Sequence, residues 1–302
     1  MRLRLDVIGF GALNLDKLYR VDRIISVGEE TFIKGLEVSP GGSAANTIVG
    51  LARLRMRVGY IGSVADDPEG RYILEDLRRE NINLKGIRVV TGGRSGVCIG
   101  FVDEHGERAL YIYPGVNDTL TYKDIEPEYA DSAKIIHLTS FVGEKPFLAQ
   151  KRLTREVRRA DITLDPGELY ATKGLNKLNQ ILKKVTAFMP NERELRILTN
   201  KSYVEGAEEL LSRGVKIVAV KLGERGCYVT DGKEKHLIPT SKRKPKDTTG
   251  AGDAFCAGFI YGLLKGRDLY TCGRLGNFVA SKCISNYGAR RGLPSEMELP
   301  RL

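Results

Sequence analysis

Six short apolar runs, at 6–10, 58–64, 134–139, 161–165, 186–190 and 216–222, read as strands buried on both faces. Between many of them the apolar positions recur with helical spacing, at 43–55, 68–80, 145–159, 192–199 and 203–213. Strands alternating with helices predict an α/β domain built on a doubly wound, mostly parallel sheet with helices on both faces. Two segments depart from this rhythm. Residues 18–38 and 96–113 alternate apolar and polar positions around turns, as short antiparallel strands with one solvated face do. Two such insertions, taken as about 12–38 and 92–115, predict a small β-sheet lid over the ligand crevice of one domain spanning 1–302. Two further helices are expected at 251–264 and 269–285. Ala254, Gly258 and Gly262 form a small-residue stripe on the first, which predicts close packing against the sheet.

Composition narrows the setting. The 302 residues can bury a sizeable core. The start of the chain runs straight into an apolar strand pattern without a leader-like segment, and no uncharged apolar stretch approaches 18 residues, so a cytoplasmic protein that does not span a membrane is expected. Five scattered cysteines without a C-x-x-C pair fit a reducing compartment better than a disulfide framework or a zinc site. Three histidines leave little for a metal centre or a Ser-His-Asp triad, and His137 reads as structural. The net charge of +10 is spread along the chain, which suits a small anionic ligand better than nucleic acid. Glutamine only at Gln150 and Gln180, no tryptophan and 28% charged residues hint at heat adaptation.

The most informative stretch is Asp247-Thr248-Thr249-Gly250-Ala251-Gly252-Asp253. It sets small residues and bare N–H groups at the mouth of a helix, where anions are attracted, with a carboxylate within the first turn. A capped helix start would use similar residues, but the full pattern is more specific than that. Four weaker motifs accompany it. Gly9-Phe10-Gly11-Ala12-Leu13-Asn14 imitates a dinucleotide fingerprint but ends in Asn14 rather than glycine, so a dehydrogenase is disfavoured. Asn14 and Asp16 instead suit vicinal hydroxyls at the edge of a doubly wound sheet, or else form a local turn. Gly41 and Gly42 open a helix with Asn46 one turn in. Asn191 with Glu194 reads either as a capping box or as a phosphate and Mg²⁺ site acting through water. Lys221, Gly223 and Gly226 form a glycine-bounded turn that fits beneath a nucleotide or in an ordinary hairpin. The basic run 242–246, directly ahead of Asp247, is either a solvated loop or a neighbour of phosphate. No P-loop motif is present.

Taken together, Gly41-Gly42 with Asn46, Asn191-x-x-Glu194 and the run from Asp247 to Asp253 closely resemble the PfkB, ribokinase-like carbohydrate and nucleoside kinase family, and Asn14-x-Asp16 fits its first substrate loop. The match extends from the first strand to about residue 295. The resemblance implies a Rossmann-like domain with a β-sheet lid, and ATP with Mg²⁺ as phosphoryl donor. It implies Asp253 as base, with Gly250, Ala251 and Gly252 as anion hole. Asn14, Asp16, Gly41, Gly42 and Asn46 become substrate contacts. Lys221, Gly223, Gly226 and Asn277 fall beside the nucleotide, and Asp247, Thr249 and Gly288 resemble a monovalent-cation loop that would take K⁺. A homodimer through the lid edges is a further expectation. One departure bears on the substrate. Many sugar kinases of the family carry Asp-x-Asn-x-Arg where this chain has Asp165-Pro166-Gly167-Glu168-Leu169. That weakens a 2-keto-3-deoxygluconate or fructose reading and keeps a nucleoside open beside a ribose-like sugar. From another class, a non-catalytic nucleotide- or nucleic-acid-binding protein stands as the alternative.

Overall fold

The computed structural model describes residues 4–105, 107–241 and 244–301. The expected strands at 6–10 and 58–64 appear as β1 (Leu5–Phe10) and β4 (Val58–Ala65), with β2 (Asn14–Val21) and β3 (Ile33–Gly41) between them. There follow β5 (Asn83–Val90), β6 (Gly96–Val102), β7 (Arg108–Tyr113), β8 (Ala133–Thr139) and β9 (Asp161–Asp165). The last four are β10 (Val185–Phe188), β11 (Ile217–Lys221), β12 (Cys227–Thr230) and β13 (Lys235–Ile238). The helices are α1 (Ser43–Arg53), α2 (Pro68–Arg79), α3 (Pro127–Ala130), α4 (Glu144–Glu156) and α5 (Gly167–Ala171). They continue with α6 (Leu175–Leu182), α7 (Glu192–Thr199), α8 (Tyr203–Ser212), α9 (Ala251–Leu264) and α10 (Leu269–Cys283).

Nine strands form one sheet in the order β13-β12-β11-β10-β9-β8-β1-β4-β5. It is parallel from β11 to β5, and β12 and β13 add an antiparallel edge. Alternation along each strand divides the core into two layers. Val7 faces a cluster with Ile48, Phe255 and Phe259 on the α1, α9 and α10 side. Ile8 and Phe10 face Phe147, Leu178 and Leu210 on the α4, α6 and α8 side. The chain leaves β1 toward β4 and β5, then returns through β8 to β9 and onward in the opposite direction. The β1–β8 boundary is therefore the switch point, where ligands of open α/β sheets bind.

The second sheet has the order β3-β2-β6-β7. Its strands fall where alternation places them, with two differences. The β2–β6 pair is parallel rather than antiparallel, because both strands leave the large sheet in the same direction. β3 also runs on to Gly41, so the expected segment 12–38 stops short. The stripe of small residues on α9 serves a different neighbour from the one expected. A methyl group on Gly258 would collide with the Leu275 carbonyl and lie 2.9 Å from the Gly276 Cα, and one on Gly262 would lie 2.8 Å from the Cys272 Sγ. Those glycines admit α10, not the sheet.

The α9–α10 crossing supports the loop before α9 and the loop after α10, so its closeness is testable. Gly258→Ala forces the helices apart in a packed core, which costs about 1–3 kcal/mol. A urea titration is expected to show that loss as a lower midpoint with an unchanged slope.

Candidate active site

At the switch point the described residues enclose a cavity of about 360 Å³. Its polar wall comes from Asn14, Asp16, Ser43, Asn46 and Asp253, with the backbone of 250–252 at one end and Phe141 and Leu169 on the apolar side. Two helices point their N-termini into it. Gly42 precedes α1 at φ 98°, and Gly250 precedes α9 at φ 76°; neither supplies a side-chain cap. Both positions lie in the left-handed region that favours glycine. The uncapped N–H groups and both helix dipoles therefore favour a negative charge in the cavity. A side chain on Gly250 would also run into Ala289, and one on Gly41 into the Asp16 carboxylate.

The loop after β1 is held by Asn117, a buried residue that sequence reading missed. Asn117 Oδ1 accepts from the Leu13 N–H at 3.0 Å, and its Nδ2 donates to the Leu13 carbonyl at 2.9 Å and to Asn14 Oδ1 at 3.1 Å. With Oδ1 engaged, Asn14 keeps its amide donors for a ligand. Burial lifts the Asp16 carboxyl to about 6, although Arg290 opposes the shift.

Asp253 lies in the first turn of α9. Asn46 Nδ2 donates to its Oδ2 at 2.8 Å, and Thr47 Oγ1 donates to its backbone carbonyl at 3.1 Å. Burial raises its pKa to about 7; Asp165 pushes the same way, while the Asn46 hydrogen bond, Lys221 and Arg290 pull against it. A carboxyl poised there can accept a proton near neutral pH.

Behind the α9 mouth is a second buried group. Lys221 Nζ donates to Asp165 Oδ2 at 2.5 Å, and Cys256 Sγ donates to the same oxygen at 3.4 Å. Burial works against the Lys221 charge, but Asp165 and Glu194 hold its pKa above the ordinary lysine value. A methyl on Gly252 would sit 3.2 Å from Nζ, so the ammonium lies beneath the turn that opens α9. In the sequence Asp165 stands out only for the residues after it, and its pairing with Lys221 has no local signal. Glu194 Oε2 accepts from the Asn191 N–H and Asn191 Oδ1 from the Glu194 N–H, both at 2.8 Å, so this pair forms a capping box. Burial, then Asp165, raises the Glu194 carboxyl.

Of the other predicted residues, Thr249 lines the cavity and the rest gather outside it. Gly223 and Gly226 turn at φ 61° and 91° between β11 and β12, and Asn277 Nδ2 reaches the Ile238 carbonyl beside them at 3.0 Å. Asp247 accepts from the Thr249 and Gly288 N–H groups, each at 2.8 Å, which ties the two expected cation-loop segments together. His137 is wholly buried, its Nδ1 3.0 Å from Thr163 Oγ1, as a structural residue would be. Lys242 and Arg243 of the basic run lie outside the described residues.

This arrangement agrees with comparisons of the chain. The model of the pfkB family of carbohydrate kinases matches residues 5–296. The chain belongs to that family. It is 46% identical over 253 residues to an uncharacterized sugar kinase of Archaeoglobus fulgidus, covering 83% of this chain and 100% of that one. It is 33% identical to an ATP-dependent ribose-1-phosphate kinase of Halopiger xanaduensis, over 94% and 93% of the two chains. The crystal structure of a ribokinase from Thermotoga maritima superposes with a TM-score of 0.87 at 25% identity, covering 97% of each chain. The pfkB kinases thus supply the fold, and this chain is a phosphotransferase acting on an alcohol group. Among the described residues no helix is long and apolar enough to cross a membrane.

A carboxyl whose pKa rises on folding destabilises the fold once it ionises. Its stabilising contribution is intact at low pH and is lost as pH rises from about 4 toward about 7. Asp253→Asn removes that burden. The variant is expected to melt a few degrees higher than the parent at pH 8, with the gain vanishing toward pH 4, in paired calorimetric scans.

Proposed function

We propose that this chain transfers the γ-phosphoryl group of ATP to the primary hydroxyl of a small free sugar. The observation that carries the reading is Asp253, a carboxyl near pKa 7 set between two open helix N-termini and facing a polar cavity. Asn14 and Asp16 hold the sugar hydroxyls from one side and Asn46 and the Gly41-Gly42 backbone from the other. Asp253 takes the proton of the attacking hydroxyl as the new P–O bond forms. The N–H groups of Gly250, Ala251 and Gly252 receive the charge on the transferring group, and positioning and electrostatics supply most of the catalysis.

Lys221, Gly223, Gly226 and Asn277 support a nucleotide laid across the turn between β11 and β12. Mg²⁺ would neutralise charge on the phosphates. Among the described residues no cluster of three metal-ligating side chains exists, which suits an ion carried in on phosphate and held through water by Glu194 with Asn191 beside it. Asp247, Thr249 and Gly288 support a K⁺ site behind α9. The second sheet acts as a lid that excludes water. Its exposed Leu36, Leu110, Tyr111 and Tyr113 also support pairing of two copies. Gel filtration is then expected at twice 33.4 kDa.

The cavity favours a free sugar. Its volume is at the low end for ligand sites, as a small acceptor requires. Away from the two helix N-termini its lining includes Asp16, Asp118 and Asp253 with no lysine or arginine, which disfavours a further phosphate on the acceptor. An ADP-release assay over pentoses, hexoses, ribose 1-phosphate and nucleosides is expected to give its highest kcat/KM with a free sugar. Preference for a nucleoside or for ribose 1-phosphate would contradict the substrate assignment. In the same assay Asp253→Asn is expected to lower kcat by roughly 10²-fold or more with ATP binding retained. Near-parental turnover would remove Asp253 as the base.

A further inference from the structure

Arg290 does not line the cavity, yet it is built into the same network. It lies in the loop after α10 with its side chain 10% exposed. Nη1 donates to Asp76 Oδ2 on α2, Nε donates to Asn46 Oδ1 at 2.8 Å, and Nη2 reaches the Gly41 carbonyl at 3.5 Å. The backbone carbonyl of Arg290 accepts from Arg53 Nη1 at 2.6 Å, and Arg53 in turn holds Glu80 through two bonds, at 2.6 and 3.2 Å. Helices α1 and α2 therefore fix both the backbone and the guanidinium of this residue.

A guanidinium carries donors only. Asn46 must present its carbonyl oxygen to it, so the amide nitrogen faces the opposite way, toward Asp253 Oδ2 at 2.8 Å. Turned over, the carboxamide would set an oxygen against the Asp253 carboxylate and a donor against Arg290. That arrangement is tolerable only if Asp253 is protonated and Arg290 is absent. We infer that Arg290, clamped by Asp76, is a positioning residue for phosphoryl transfer: it fixes the Asn46 carboxamide so that Asn46 donates to Asp253 and keeps it an aimed, ionised proton acceptor. The inference rests on Asp253 being the base. The contact of Arg290 with the Gly41 carbonyl and its proximity to Asp16 place the same residue under the sugar loops, so one side chain ties the acceptor's seat to the base.

Other charged and titratable groups also face Asp253: Asp165 from β9, Lys221 from β11, Tyr60 from β4 and Cys256 from α9 itself. All are kept in the variants below; Asp16, at about 6, also feels Arg290, so the limb is read in kcat at saturating sugar, where Asp16 is already engaged.

Arg290→Met alone strands the Asp76 carboxylate and can unfold the chain. The double variant Arg290→Met, Asp76→Leu removes both charges and keeps the site apolar. Losing the Asn46 donor and the positive charge raises the Asp253 pKa. The acid limb of kcat at saturating sugar is therefore expected to move up by about one pH unit, with KM for ATP within about twofold of the parent. Activity is expected to drop roughly fivefold at pH 7, roughly tenfold at pH 6, and to approach the parent at pH 9. A structural role alone would leave the same deficit at every pH with the limb unmoved, and that result in the folded double variant overturns the inference, as does a parental profile. Asp253→Asn is run alongside. If it remains active the reading of the base itself fails; if it is inactive while the Arg290 limb stays in place, only the positioning role fails.

Discussion

An ionised carboxylate in the first turn of a buried helix is costly to keep, and much of this molecule is arranged around that cost. Asp253 is drawn up toward neutrality by burial and by Asp165, and drawn back by Asn46, Lys221 and Arg290. None of these opposing groups comes from α9. Asp165 and Lys221 stand at the ends of β9 and β11, Asn46 is on α1, and Arg290 follows α10. The large parallel sheet, with its switch point at β1 and β8, brings them together from positions up to 244 residues apart in the chain. The Asp165–Lys221 pair is buried, with the side chains 9% and 12% exposed, and is weak evidence for stability, since two charges are desolvated to make it. Its place beneath Gly252 gives it a better reason to exist under the proposed function: an ammonium fixed behind the turn assigned there to phosphate.

The glycines answer the same demand. Gly41 leaves space for the Asp16 carboxylate, Gly42 and Gly250 adopt backbone angles that favour glycine, and Gly252 lets the Lys221 ammonium approach the turn. Each removes a side chain that would block an anion or a neighbouring loop. Gly258 and Gly262 do comparable work further along α9, where they admit α10 and so hold the loop bearing Gly288 and Arg290 against the helix mouth.

The repeated apolar runs made the large sheet legible, because parallel strands buried on both faces show as uninterrupted hydrophobic segments. β5 escaped, since as an edge strand it interrupts its apolar positions with Asn83, Lys85 and Arg88. The edge hairpin β12–β13 is short and half polar, and it hid in the same way. Local motifs marked Asp253, Asn46, Gly42, Gly250 and Gly252, which the fold brings to one cavity, since their backbone geometry is set by neighbours in sequence. Arg290, Asp76 and Asn117 carry no local signature. Their roles arise only when the loop after α10, helix α2 and the segment before α3 pack around the β1 loop. Asn191 and Glu194 were legible as a capping box, and the geometry shows that box formed.

One carboxyl, Asp253, is held at the edge of ionisation at working pH, and the proposed chemistry depends on it. Carbon-13 NMR of aspartate labelled at the side-chain carboxyl, recorded from pH 4 to 9 on the parent and on Asp253→Asn, reads this without reference to any substrate. A resonance titrating near pH 7 is expected in the parent and is expected to be missing from the variant. An Asp253 resonance titrating below about pH 5, in the range of an ordinary aspartate, would contradict it.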